Sequence, residues 1–395
     1  MNGIRRTVAA AGLLLALPLS IATSSTAFAA APAAPAATSA ATAAGTAGAH
    51  AVLPRPTGPY AVGRDVLHLV DQDRPDPWVP SAGPRQLMVS MYYPAKPDTG
   101  GPAPYMTPEA ARLLLDAKLP GNSIPTDALA GVGDWSRTDA RPQPGRFPLV
   151  LLSPGFTMPR ASLTSLAEDL ASRGYVVALV DHTYENTGTT FPDGQTLTCA
   201  ICDAPPPVGL PGIETSRATD LSFVVDQLTA HPHPAWQYSR MIDEQRIGVA
   251  GQSLGGATAV PALATDARIR AGVNLDGTMF YPVPADGLGG KPFLMINHPL
   301  PGGAEDPTWT DAWAKLDGWK RWLTFAGSDH ETFTDDQLLL NDFGYPNPPG
   351  NTLPAERGIQ LTREYVAAFF DLQLKGIPQP LLDGPTAQNP EVAFH

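Results

Sequence analysis

The stretch that most constrains this 395-residue chain is 246–256, which reads Arg-Ile-Gly-Val-Ala-Gly-Gln-Ser-Leu-Gly-Gly. A short apolar run enters Gly-x-Ser-x-Gly, and small residues follow from Ala257 onward. That order is strand, sharp turn, helix, with Ser253 at the apex. A serine held there has a strained backbone, and side chains two positions to either side would strike the strand and the helix. Gly251 and Gly255 carry none. The following helix aims its first amides at the space above Ser253, where an oxyanion could be held. An ordinary glycine-rich turn would share the motif but not the strand before it and the small residues after it.

The surrounding chain repeats strand and helix. Buried strands are expected at 147–153, 175–181, 246–250, 270–276, 291–297 and 320–326, each a near-continuous apolar run of the kind found in parallel central strands. A less regular strand at 87–93 precedes them. Helices are expected at 108–118, 162–172, 214–230, 253–265 and 358–374, the last stopped by Gly376. Residues 100–146 read as an insertion lying over the sheet, and 185–212 as a proline-rich loop leaving the carboxyl end of a strand, where open α/β sheets take ligands. The fold class is α/β, an α/β-hydrolase fold: a mostly parallel central sheet, helices on both faces, loop insertions as a cap.

Residues 1–30 are expected to be a signal peptide, with Arg5-Arg6, an apolar core and Ala27-Phe28-Ala29 as cut site. Sec and twin-arginine export both remain open. Residues 31–58 read as a low-complexity, disordered leader and 59–395 as the catalytic domain. No later run is long and apolar enough to span a bilayer, so the expected product is secreted. A formal net charge of −12 disfavours nucleic acid and anionic membrane surfaces as partners. Cys199 and Cys202 are the two cysteines, and in an oxidising compartment they are expected to form a disulfide pinning a loop. The prolines after them do not start the helix a thioredoxin-like redox pair needs.

A serine hydroxyl needs a base, and the base an orienting acid. In this architecture both follow Ser253 at strand ends, acid first. His330 stands directly after the strand at 320–326, and His298, at the end of 291–297, is its rival. His182 also ends a strand but precedes Ser253. For the acid, Asp276 ends the strand after the elbow helix; Glu305 and Asp306, in a loop after the next strand, occupy the commoner position. The two oxyanion donors are expected to be the backbone amides of Leu254 and Phe156, the latter in the Ser153-Pro-Gly-Phe turn after an early strand. No metal and no cofactor enter this scheme.

At these residues the chain resembles a family. The segments 152–156, 169–178, Asp181-His182, 246–258, 268–276 and 327–333 are similar, in order, to those of the platelet-activating factor acetylhydrolases of the plasma and intracellular type II kind, and most closely resemble their bacterial secreted relatives. The similarity runs from about residue 60 to about residue 374 and includes 63–94. It implies that the acid is Asp276. Three features depart from the family pattern: Gln252 replaces the usual histidine before the serine, Pro154-Gly155 replaces a His-Gly, and the loop around Cys199 and Cys202 has no counterpart. These leave the Ser253, Asp276, His330 set in place and bear on substrate choice.

The expected activity is metal-independent hydrolysis of carboxylic esters through an acyl-enzyme. No stretch announces a long acyl tunnel, so short-chain acyl esters or short-acyl phospholipids come first. A lipase or polyester hydrolase, an acyltransferase on the same fold, and a non-catalytic exported binding module are the alternatives.

Overall fold

The computed structural model describes residues 51–203 and 206–395. The expected signal peptide and residues 31–50 of the expected leader lie outside them. Residues 51–58 do not behave as a leader. Ala51 and Leu53 are buried, Val52 bridges Gly133, and Thr57 and Gly58 donate backbone hydrogen bonds to Asp169 and Ser172. Two apolar side chains and two satisfied amides tie this segment to the domain, whose boundary therefore lies before residue 59.

The chain opens with β1 (Ala61–Pro75) and β2 (Pro84–Ala95), a long antiparallel pair. β3 (Gly101–Pro102), α1 (Pro108–Lys118), α2 (Thr126–Ala130) and β4 (Ser136–Thr138) make up the insertion. Its short strands pair at the sheet edge, β4 parallel to β1 and β3 antiparallel to β4, so the insertion extends the sheet as well as capping it. Helix α1 starts where the sequence marks it. The Thr107 hydroxyl accepts from the Ala110 amide, Pro108 fills the first turn, and Lys118 sits in the last.

β5 (Phe147–Ser153), α3 (Thr164–Ser172) and β6 (Val176–His182) form the first parallel unit. A small hairpin, β7 (Thr189–Thr190) and β8 (Thr196–Leu197), lies in the proline-rich loop before α4 (Gly209–Thr229). β9 (Ile242–Gln252) leads to α5 (Leu254–Ala257) and α6 (Ala259–Thr265), then β10 (Ile269–Leu275), β11 (Phe293–Asn297), α7 (Pro307–Lys315) and β12 (Lys320–Phe325). α8 (Asp336–Asp342), α9 (Ala355–Lys375) and β13 (Val392–Phe394) complete the order. Among the described residues the main sheet has eleven strands, in the order β3-β4-β1-β2-β6-β5-β9-β10-β11-β12-β13. β6 through β12 run parallel, and antiparallel pairs close both sides.

Alternation along the central strands builds two cores. Leu149 and Leu151 of β5 face a cluster with α4, α6 and α7, while Val150 and Leu152 face one with α3 and α9. A third cluster, with Leu114, Leu115, Leu129, Met158 and Leu339, joins the insertion to α8 above the sheet.

α9 crosses β9 where the strand has no side chain: a Cβ on Gly248 would come within 2.5 Å of the Phe370 ring. Gly248→Ala is expected to cost about 1–3 kcal/mol by overpacking. Adding Phe370→Leu should recover part of that loss in urea melts, and a double variant no more stable than the single one would refute this account.

Candidate active site

Ser253 sits at the end of β9 with φ 55° and ψ −129°, a backbone state that a non-glycine residue holds only under constraint. The constraint is steric. A Cβ on Gly251 would lie 2.4 Å from the Gly255 and Ser153 carbonyl oxygens, and one on Gly255 would lie 2.1 Å from the latter. The turn therefore rests directly on the end of β5. The Ser253 amide donates to the Leu275 carbonyl at 2.8 Å, fastening the elbow to β10 one residue before Asp276.

Asp276 has φ 60° and begins a tight turn held by the buried Asn274. The Asn274 side chain accepts from the Gly277 amide and donates to its carbonyl, both at 2.8 Å. Gly277 lies against the elbow, its notional Cβ 2.0 Å from the Ser253 carbonyl oxygen. The Asp276 carboxylate is thus aimed from a rigid base. Its Oδ2 meets His330 Nδ1 at 2.5 Å and His298 Nδ1 at 2.7 Å, and its Oδ1 accepts the His298 amide at 3.0 Å. Burial pushes the carboxyl upward, but hydrogen bonds from His298 and His330, and their charge, outweigh it and hold it below its ordinary value. Burial likewise works against the charged His330 ring. The Asp276 hydrogen bond and charge, with Glu331 and Asp329 adding to them, leave that ring above its ordinary value.

The structure separates the rival acids. Glu305 is exposed. Asp306 caps α7, accepting from the Thr308 amide at 2.8 Å and from the hydroxyls of Thr308 and Thr278. Both histidines, by contrast, share Asp276. Gln252, which stands where the family usually has a histidine, bridges two parts of the site: its Nε2 donates to the His330 carbonyl at 3.0 Å, and its Oε1 would be 2.5 Å from a Cβ on Gly155.

The expected oxyanion residues come together. Leu254 opens α5, and the 153–156 turn passes beside the elbow, a notional Gly155 Cβ lying 3.4 Å from the Ser253 Cβ. Neither the Leu254 nor the Phe156 amide meets an acceptor among the described residues. Their side chains join one apolar cluster with Ile201, Ile213 and Cys199. The Cys199–Cys202 disulfide is formed, and the pinned loop packs against Leu254 and Phe156. A cavity of about 230 Å³ is lined by Leu114, Leu115, Met158, Leu339 and Phe343, with Glu331, the neighbour of His330 in the chain, at its wall.

His182, expected to end a strand near the site, is 1% exposed. It is buried in a charge network behind the 153–156 turn, with Nδ1 2.8 Å from Asp220 and Nε2 2.9 Å from the Ser153 hydroxyl. Arg85 donates to Asp76, Glu185 and Asp220, and Arg217 donates to Glu185 and to the Pro154 carbonyl at 2.6 Å. These are the same three residue types as at the elbow, yet without solvent access they serve to shape the turn. Among the described residues, two three-membered groups have metal-capable atoms within 4.8 Å of one another: Asp276, His298 and His330 at the site, and the buried His182, Glu185 and Asp220. Spacing along the chain announced neither.

Known proteins resemble this chain along most of its length. Residues 46–196 and 228–343 match the family described as platelet-activating factor acetylhydrolase, isoform II. The chain is 30% identical to a probable 1-alkyl-2-acetylglycerophosphocholine esterase of Arthroderma benhamiae, covering 87% of this chain and 93% of that one. It is 23% identical to a platelet-activating factor acetylhydrolase of Cavia porcellus over 72% of this chain and 69% of that one. A ferulic acid esterase structure from Streptomyces cinnamoneus superposes with a TM-score of 0.78 at 44% identity, covering 88% of this chain and 99% of that one.

Burial and Arg217 hold the His182 ring below its ordinary value of 6.5, so the folded state binds this proton less readily than the unfolded chain. The ring's contribution to stability is complete above 6.5 and is lost as pH falls toward the folded value. His182→Gln should lower the melting temperature at pH 8 yet narrow its difference between pH 8 and pH 5, measured beside the unaltered protein. Arg217→Met leaves Glu185 buried without this partner and is expected to cost about 3–5 kcal/mol.

Proposed function

The chain belongs to the platelet-activating factor acetylhydrolase isoform II family and is a carboxylic ester hydrolase; from that premise we propose that it is an exported serine esterase working through an acyl-enzyme on short acyl esters. The carrying observation is the Asp276–His330 hydrogen bond, tied to the elbow by Gln252 on the His330 carbonyl, together with Leu254 and Phe156 amides that meet no acceptor among the described residues.

In this mechanism Ser253 Oγ attacks the ester carbonyl while His330 Nε2 takes its proton. His330 Nδ1 keeps its own proton on Asp276, which fixes the tautomer and stabilises the imidazolium that forms. The Leu254 and Phe156 amides receive the oxyanion. His330 then delivers the proton to the leaving alkoxide, and a water deprotonated by the same ring releases the acyl group. Gln252, through the His330 carbonyl, keeps the ring's backbone beside the nucleophile.

The apolar cavity beside Met158 and Glu331 suits a short hydrocarbon or aryl group. Both relatives named above as esterases act on esters, one by name of an acetylglycerophosphocholine and the other of ferulic acid. The 44% identity to the latter supports a second reading, in which the acyl group is a hydroxycinnamate. Family membership sets aside a non-catalytic binding module. Export rests on the sequence of residues 1–30, and protein recovered from culture medium should begin near residue 30 by mass spectrometry.

Ser253→Ala should remove p-nitrophenyl acetate hydrolysis, and an organophosphate should label the unaltered protein once; activity within tenfold of the original would sink the assignment. Because the His330 base must be neutral, kcat/KM should fall as pH drops through an inflection above the ordinary imidazole value of 6.5. Asp276→Asn should move that inflection down and lower kcat by roughly 10⁴-fold. Rates on p-nitrophenyl acetate, butyrate and octanoate beside methyl ferulate decide between the two acyl readings.

A further inference from the structure

A Ser–His–Asp arrangement needs one imidazole on its carboxylate, and this site has two. His298 follows β11, where the rival acid was expected, and turns Nδ1 onto the same Asp276 oxygen that His330 uses. We infer that Asp276, His298 and His330 form a binding site for a zinc-class divalent cation, and that its occupancy switches the esterase off. The inhibitory half rests on the proposed role of His330 as base; the binding half does not.

Two imidazole nitrogens and one carboxylate oxygen are a donor set that zinc and its neighbours favour, with a fourth position left to water. The three donor atoms lie within 4.8 Å of one another. Tetrahedral bonds of about 2.0–2.1 Å place ligands roughly 3.4 Å apart. The Nδ1–Oδ2 separations of 2.5 and 2.7 Å therefore need to open by less than about 1 Å. The elements that carry the rings permit it: His330 starts a single turn, His330–Phe333, and His298 lies in a loop.

Charge and access point the same way. Among the described residues no lysine or arginine pairs with Asp276; only the two histidines do. Asp329 and Glu331 flank His330 and add negative potential. The His330 and His298 side chains are 43% and 23% exposed, which gives an ion a way in. The other three-membered group fails on both counts. His182, Glu185 and Asp220 are buried, and their carboxylates are already bound by Arg85 and Arg217.

Coordination through Nδ1 would force the neutral His330 ring to carry its proton on Nε2. The lone pair that should accept the Ser253 proton is then gone, and Asp276 faces the metal instead of the imidazolium. No bond to substrate changes, so kcat should fall while KM stays nearly constant.

Binding is tested first on Ser253→Ala protein, by calorimetric titration with Zn²⁺ in a non-chelating buffer. One equivalent should bind, and adding His298→Gln should weaken it about tenfold or more. If that double variant does not fold, Co²⁺ added to Ser253→Ala should give the visible bands of a four-coordinate nitrogen–oxygen site. With active protein, Zn²⁺ should lower kcat on p-nitrophenyl acetate, EDTA should restore it, and His298→Gln should raise the required zinc about tenfold or more. Ser253→Ala protein that binds no zinc, or binds it equally well without His298, overturns the site and leaves the esterase reading standing. Zinc bound through His298 with kcat unchanged overturns the inhibition.

Discussion

The backbone of residues 251–255 rests on the carbonyls of Ser153 and Pro154 with no space for a side chain between them. That contact forces the bend at Ser253, and the rest of the site hangs from it. It brings the 153–156 turn alongside Ser253 and leaves the first amide of α5 without an acceptor among the described residues. It places Gln252 where one side chain reaches the His330 backbone. It also allows the Ser253 amide to reach the Leu275 carbonyl, which fixes the origin of the Asp276 turn. Parallel pairing of β5, β9 and β10 supplies the register that makes these approaches coincide.

The 153–156 turn is held from behind as firmly as from the front. Arg217 takes the Pro154 carbonyl, His182 takes the Ser153 hydroxyl, and the Glu185 carbonyl takes the Thr157 amide. Burying so many charges is expensive in itself, because each loses its hydration. The compensation is pairing: Arg74, Arg85 and Arg217 face Asp76, Glu185 and Asp220, and burial keeps His182 neutral among them. An apolar core could fill the same volume but would offer no donor to a turn carbonyl. Preorganised amides act strongly on a developing oxyanion only if the loop that carries them does not relax.

Asp276 concentrates the electrostatics of the site. It is nearly buried and accepts three hydrogen bonds; burial pushes its carboxyl up, but the ring hydrogen bonds from His298 and His330 and their charge hold it below its ordinary value. The same negative centre that raises the basicity of His330 draws in the second ring. The cluster of Leu254, Phe156, Ile201 and Ile213 makes the surroundings of the first α5 residue apolar, and the disulfide at Cys199–Cys202 restrains the loop that supplies Ile201.

Much of the architecture was legible in the residues themselves. The β5 and α1 boundaries agree with the apolar run at 147–153 and the capped helix at 108–118, because strand and helix periodicity and Thr-Pro capping act over a few neighbours. The elbow motif, too, is local. The sequence by itself determined the strand–helix order, the bend at Ser253 and the choice of residue types after the strand ends. It did not reveal β1, which buries Arg64 and exposes Val66 and His68 and so lacks a clean apolar alternation, or the edge pairing of β3 and β4. Only the tertiary structure decided that Asp306 caps a helix, that His298 shares Asp276, and that Arg85 lies within bonding distance of Asp220, 135 residues away. Those outcomes depend on sheet register and on how loops at neighbouring strand ends meet, and no pattern within one segment encodes the distance between two of them.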